Sequence, residues 1–224
     1  MSDIGMNAQF HNLKFQKKKF LGLAEKNFAI EDGKKITSAL RFAEVKHKGQ
    51  RRDEESAAYV IHPIRVATTL LEDVGIWDGD VVVGALLHDL VEDCGVRLGM
   101  IEKRFGKRVS EFVKALTRMA IKGESDSEKE AHKKQKLTEL GYASLEIRLI
   151  KCADILDNLR CAADVPFWSW TPIARRKFPR WRREFHVAEE FAKHTHPFFY
   201  KEIHTELRTF EVKRIMRGVV RLGM

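Results

Sequence analysis

The chain is poor in the residues that mark stapled, extended or membrane-bound proteins. Its three cysteines, Cys94, Cys152 and Cys161, form no CxxC pair and leave an odd count. That argues against a disulfide framework and for a reduced, cytosolic setting. Only 5 prolines accompany a 44% hydrophobic fraction, a balance that reads as globular rather than disordered. No apolar run approaches the ~18 residues of a membrane span, and the N-terminus lacks the apolar stretch of a secretory signal. There is no internal repeat and no strand-like alternation, so the expected fold is all-α. A length of 224 residues suits one domain, alone or with an appended helical tail. Acidic residues are the scarcer charge, 32 against 41 basic, a net +9. Such an excess suits an anionic ligand, from nucleotide to nucleic acid, without choosing between them.

Within this background one stretch concentrates ionisable groups at the end of an apolar run. Val81, Val82 and Val83 lead into Gly84-Ala85-Leu86-Leu87-His88-Asp89-Leu90-Val91-Glu92-Asp93-Cys94. Read as one helix, it sets His88 over Glu92 and Asp89 over Asp93. Charged groups are rarely buried without partners, because desolvation is costly. His88 and Asp89 are therefore candidate metal ligands, although a lone buried histidine is more often a hydrogen-bonded core residue. Asp80, after the turn at Trp77-Asp78-Gly79, is the expected N-cap of this helix.

Other segments supply further donors. Tyr59-Val60-Ile61-His62-Pro63 precedes a helical pattern of Ile64, Val66, Ala67, Leu70 and Leu71. Proline fits the first turn of a helix, which puts His62 at a helix mouth. In Arg148-Leu149-Ile150-Lys151-Cys152-Ala153-Asp154-Ile155-Leu156-Asp157-Asn158-Leu159-Arg160, Asp154 falls within an apolar stripe and should point inward, with Asn158 one turn onward. His62, His88, Asp89 and Asp154 together offer nitrogen and oxygen but no thiolate, which suits Mn²⁺, Fe²⁺ or Zn²⁺. The polar stretch His47-Lys48-Gly49-Gln50-Arg51-Arg52-Asp53 reads structurally as a solvated loop, yet a guanidinium can also stack on a base or fork onto phosphate.

The remaining segments read as scaffold. Residues 1–35 form a basic helical extension, interrupted at Glu31-Asp32-Gly33, and a helix follows from Ile36 to Lys46. Leu98 to Phe105 ends at Gly106, and Val109 to Ile121 carries Phe112, Val113, Leu116 and Met119 on one face. Residues 122–136 read as an exposed, charged connection, long enough for a lid but more simply a surface loop. From Phe167 the chain is aromatic and basic. Arg175-Arg176-Lys177-Phe178-Pro179-Arg180-Trp181-Arg182-Arg183 could bind nucleic acid, but Trp170, Ile173, Ala174, Phe178, Trp181, Phe185 and Ala188 also fit a helix buried on one face, and that reading is preferred. A closing helix of mixed charge spans Glu202 to Val220.

The ordered set His62, His88-Asp89 and Asp154 resembles the H…HD…D signature of the HD metal-dependent phosphohydrolases. His47-Lys48-Gly49-Gln50, Tyr59-Val60-Ile61-His62-Pro63, Leu87-His88-Asp89-Leu90-Val91-Glu92-Asp93, Phe105-Gly106 and Lys151-Cys152-Ala153-Asp154 with Asn158-Leu159-Arg160 resemble the alarmone hydrolase domain of RelA/SpoT proteins and the small stand-alone hydrolases. The resemblance covers roughly residues 37–165 and leaves no room for a synthetase domain. It implies an HD-domain helical bundle with the metal site in its core, residues 36–165 forming that core and 166–224 packing on it.

The resemblance also implies a chemistry. Manganese would be held by His62, His88, Asp89 and Asp154, and Glu92 and Asp93 would activate or position water. Arg52 would stack on guanine, and Asn158 would contact the sugar or phosphate. The implied reaction releases pyrophosphate from the 3′ position of guanosine tetra- or pentaphosphate, with no membrane partner. Two departures, the acidic run Asp53-Glu54-Glu55 and Ile155 in place of a basic residue, sit where nucleotide recognition is expected and touch no metal ligand. They leave two alternatives, an HD phosphohydrolase of another nucleotide and an inactive module binding nucleotide or nucleic acid.

Overall fold

A computed structural model describes residues 8–52, 57–118, 121, 123–164 and 172–222, with side chains defined outside 172–178 and 213–222. Every regular element among the described residues is a helix. The one strand-like feature is an isolated antiparallel bridge between Arg51 and Ala58. In chain order the helices are α1 Leu13–Asn27, α2 Ile30–Lys46, α3 Ile61–Glu72, α4 Gly79–Leu87, α5 Leu90–Cys94, α6 Leu98–Phe105, α7 Lys107–Leu116, α8 Asp126–Leu140, α9 Leu145–Asp164, α10 Pro172–Lys193 and α11 Pro197–Leu222.

Helix α9 is the axis of the fold. It packs on α3, α4, α7, α10 and α11 and buries Leu149, Ile150, Cys152, Ala153, Leu156 and Leu159. Helix α3 is covered from three sides by α1, α4 and α9. Nearly all of its side chains are buried, His62 and Arg65 included. Helix α4 is apolar all round because it lies between α2, α3 and α7, as expected for a helix without a solvent face. One residue sets how closely it approaches its neighbours. A methyl group at Gly84 would lie 3.1 Å from the Phe112 ring of α7 and 3.3 Å from Cδ1 of Ile150 on α9. That close approach brings the end of α4, where His88 sits, over the middle of α9.

Local chemistry revises several boundaries. The break expected at Glu31-Asp32-Gly33 is absent. The chain turns instead at Phe28, which is extended, and Glu31 and Asp32 fall in the first turn of α2, where negative charge complements the helix dipole. Asp78 rather than Asp80 caps α4, its carboxylate accepting from the amides of Asp80 and Val81, while Asp80 pairs with Lys35. Helix α7 stops at Leu116 because Thr117 is extended. Ile121 is therefore not part of it, and Met119 lies outside the described residues.

The charged connection read over 122–136 is largely helical. Ser125 and Glu128 form a reciprocal capping box that starts α8, enough to nucleate a helix of mixed charge. On α10, Ala188 is buried and Trp181 and Phe185 pack on the core. Trp170 lies outside the described residues, as do the side chains of Ile173, Ala174 and Phe178. Its described basic residues pair within the chain, Arg180 with Asp126, Arg182 with Glu211 and Arg183 with Glu130. Those pairings favour the structural reading of the segment over nucleic-acid contact.

Candidate metal centre and cleft

The run Gly84–Cys94 is not one helix. It closes at Leu87, turns through His88 and Asp89, and restarts as α5, which ends at Gly95 in the left-handed conformation (φ +62°). The turn changes which faces carry which groups, and His88 and Asp89 now point together into the space between α3 and α9. The Asp89 carbonyl still accepts from the Asp93 amide at 2.8 Å, so the i, i+4 relation between these two survives. Glu92 and Asp93 diverge: Glu92 lines a cleft described below, while Asp93 lies toward His47 and Tyr59.

The imidazoles and carboxylates converge from three elements. Nε2 of His62 is 3.2 Å from Asp154 Oδ1 and 3.6 Å from Asp89 Oδ2. Nε2 of His88 is 3.2 Å from Asp89 Oδ1 and 3.8 Å from Asp154 Oδ1. Donor atoms of His62, His88 and Asp154 all lie within 4.8 Å of one another, and all three residues are buried. His47, His132 and His186 are not among these residues.

The ring orientations are set from behind. Nδ1–H of His62 donates to Asp157 Oδ2 at 2.6 Å, and Nδ1–H of His88 donates to the Ala85 carbonyl at 2.8 Å. A carboxylate and a carbonyl can only accept, so each ring carries its proton on Nδ1 and turns Nε2 toward the cluster. Nε2 of His88 is buried without any hydrogen-bond partner. An orphaned buried nitrogen facing two carboxylates and a second imidazole nitrogen fits a divalent cation, and the N/O donor set fits a hard or borderline ion.

The electrostatics describe a cluster balanced by shared protons. Burial pushes the His88 imidazole down, but Asp89 and Asp154 outweigh it and raise it to about 9. Burial also opposes ionisation of Asp154, yet Lys151, His62 and His88 hold its carboxyl well below the usual range. Asp157 is likewise depressed against its burial, by Arg65 and then His62. Glu92 moves the other way: burial raises it, and Arg118 offsets only part of the rise.

Around the cluster sit residues that the sequence reading passed over. Asp157 accepts from Arg65 Nε at 2.7 Å and Nη2 at 3.1 Å, forming a buried fork behind His62. Lys151 Nζ donates to Asp154 Oδ2 at 2.7 Å, and the Tyr59 hydroxyl donates to Asp89 Oδ2 at 2.8 Å. A signal for the first two existed, since Arg65 is three residues after His62 and Asp157 three after Asp154 on helices that are otherwise apolar there. Two opposite charges on buried faces require each other.

A cleft of about 470 Å³ adjoins the cluster at Asp154. Glu92, Lys151, Ile155, Arg52 and Asn158 line it, as do Lys133, Lys134, Lys136, Trp181 and Arg183. Arg52 is buried, and its Nη2 donates to Asn158 Oδ1 at 2.7 Å, with Nη1 3.6 Å from Asp157. Asn158 in turn donates to Asp154 Oδ1 at 2.6 Å. The two residues expected to meet a nucleotide thus also join to each other and to the metal cluster. Asp53, Glu54 and Glu55 lie outside the described residues.

Helices converging two histidines and two aspartates beside a basic cleft make a candidate divalent-metal centre. Residues 39–177 match the family profile of the HD domain, and the chain belongs to that family. It is 34% identical over 151 residues to the guanosine-3′,5′-bis(diphosphate) 3′-pyrophosphohydrolase MESH1 of Drosophila melanogaster, covering 67% of this chain and 82% of that one. It is 30% identical over 148 residues to the bifunctional (p)ppGpp synthase/hydrolase SpoT of Escherichia coli, covering 66% of this chain but 20% of that one. A solved structure of a metazoan ortholog of SpoT that hydrolyses ppGpp superposes with a TM-score of 0.63 at 30% identity, covering 78% of this chain and 94% of that one. The chain is a metal-dependent phosphohydrolase.

Proposed function

We propose that this enzyme removes pyrophosphate from the 3′ position of guanosine tetra- and pentaphosphate, with Mn²⁺ as the working ion and the cytosol as its setting; MESH1 is named for that reaction on guanosine-3′,5′-bis(diphosphate) and SpoT as a (p)ppGpp synthase/hydrolase. The observation that carries the reading is the partnerless Nε2 of buried His88, aimed at His62, Asp89 and Asp154 beside a cleft rich in cationic side chains. His62, His88, Asp89 and Asp154 hold the ion. When bound, such an ion lowers the pKa of water and offsets charge developing on phosphoryl oxygens.

The chain's own groups do the rest. Glu92, whose carboxyl is raised by burial, takes the proton of the attacking water, a role that suits a base shifted toward neutrality. Asp93, on the other side of the segment beside Tyr59 and Asp89, supports the cluster from behind. Lys151 keeps Asp154 ionised and adds positive charge beside the transferred group. Arg52 and Asn158 receive the base and the ribose-phosphate, and their mutual hydrogen bond, with Asn158 anchored on Asp154, ties both to the metal cluster.

A nucleotide panel tests this directly. Purified protein loaded with Mn²⁺ is given guanosine 3′-pyrophosphates, their adenosine counterparts and simple nucleoside monophosphates, with products separated by chromatography. Release of pyrophosphate from the guanosine compounds alone is the expected result. Cleavage of the monophosphates alone would replace the alarmone reading with a general HD nucleotidase.

A further inference from the structure

Glu92 is linked to the surface helix α8 through three residues that the proposed chemistry leaves unused. Where the chain turns extended after α7, the amide of Arg118 donates to Glu92 Oε2 at 3.0 Å. The guanidinium of the same residue reaches back, with Nε 3.7 Å from Glu92 Oε1. Its Nη1 donates outward to Glu124, 3.0 Å from Oε2 and 3.4 Å from Oε1. Glu124 in turn accepts from Nδ1 of His132 on α8. The Glu124 side chain is only 2% exposed, covered by its two partners although it belongs to the outer layer of the protein.

This arrangement differs from an ordinary surface ion pair, which contributes little because two long side chains must be held in one geometry. Arg118 is fixed at one end by its own backbone contact to Glu92 and at the other by a carboxylate that is itself held. Glu92 needs such a hold. It shares its segment with Asp89 and Asp93 and faces Lys151 from α9. Without a cation on its outer side, like-charge repulsion from Asp89 and Asp93 drives it away from the cluster. Helix α8 also lines the cleft through Lys133, Lys134 and Lys136, so the same brace ties one cleft wall to the base.

We propose that Arg118, braced by Glu124 and His132, is a positioning residue that holds the Glu92 carboxylate in the orientation that takes the proton from the attacking water. The inference rests on the reading of Glu92 given above. Its test is a double-mutant cycle in saturating Mn²⁺ on the nucleotide turned over in the panel, comparing wild type, Glu92→Gln, Glu124→Ala and the double variant. Glu124→Ala should lower kcat by about tenfold or more, as expected when a reacting group is misplaced. KM should stay within about twofold and bound manganese should be unchanged, because neither substrate nor metal contacts are removed. Glu124→Gln should fall between, since its amide can accept from Arg118 while donating to His132.

In the Glu92→Gln background, Glu124→Ala should change the residual rate little, because residues acting through one group are not additive. Wild-type kcat in Glu124→Ala would overturn the inference, and so would an equal fold loss in the Glu92→Gln background. Wild-type turnover by Glu92→Gln itself would instead overturn the reading of Glu92. Should Glu124→Ala fail to fold, as judged by circular dichroism, Glu124→Gln and His132→Ala take its place in the same cycle and are judged by the same two outcomes.

Discussion

Asp157 is the side chain on which most of the buried polar network turns. Its two oxygens accept from Arg65 and His62, and the side chain is buried. Asp157→Asn keeps the shape but turns a donor toward one of those donors. It should lower stability by about 3–5 kcal/mol, as for breaking a buried pair, and weaken metal binding by about 10–100-fold through loss of the His62 orientation. Denaturant melts and metal titration would check both, and an Asn variant with wild-type metal affinity would remove Asp157 from the site's support. His88 gives a second expectation. Raised to about 9 by its carboxylates, the imidazole holds an extra proton at neutral pH, which an arriving cation must displace. Adding Mn²⁺ in weak buffer should release about one proton per ion at pH 7 and progressively less as the pH passes 9; a release that does not decline there would exclude His88. Such ligands are readable from sequence because each interrupts an apolar pattern. Asp157 also interrupts one, but its meaning depends on Arg65, more than ninety residues away, and on which side of α9 meets α3.

At the scale of the element, helices are legible where apolar spacing and caps agree, as at Leu98–Phe105 with Gly106 behind it. They are misread where a local cap outweighs composition. Ser125 and Glu128 make a helix of residues that otherwise read as a solvated loop. The converse holds at His88-Asp89, where the apolar run gives no sign of the turn that separates α4 from α5. That turn determines the site, and Gly84 is what lets it reach α9. Gly84→Val would place a Cβ at 3.1–3.4 Å from Phe112 and Ile150 and two methyl groups beyond it. It should cost about 1–3 kcal/mol from overpacking and lower activity disproportionately, because α4 must shift away from Asp154. Thermal melts paired with kcat measurements would show this. A stable variant with normal turnover would mean the approach of α4 is not what sets the position of His88.

For the molecule as a whole, the proposed ligands come from three places far apart in the chain: the start of α3, the turn after α4 and the middle of α9. An ion held by all three would cross-link the centre of the fold, and it would also neutralise a buried group of carboxylates that otherwise depends on shared protons. Binding to the folded state alone stabilises by RT ln(1 + [L]/Kd), about 2.7 kcal/mol at a hundredfold excess over Kd. For a chain of this size that corresponds to a rise in Tm of roughly 5–10 °C. Scanning calorimetry with chelator and then with Mn²⁺ should show a rise of that order. His88→Gln should abolish most of it, because the amide cannot reproduce an imidazole lone pair held in place by the Ala85 carbonyl. Lys134→Gln, on the cleft wall and far from the ligands in sequence, should leave the rise intact. If His88→Gln responded to Mn²⁺ as fully as the wild type, the stabilising ion would have to be bound elsewhere, and the cluster of His62, His88, Asp89 and Asp154 would lose its claim to it.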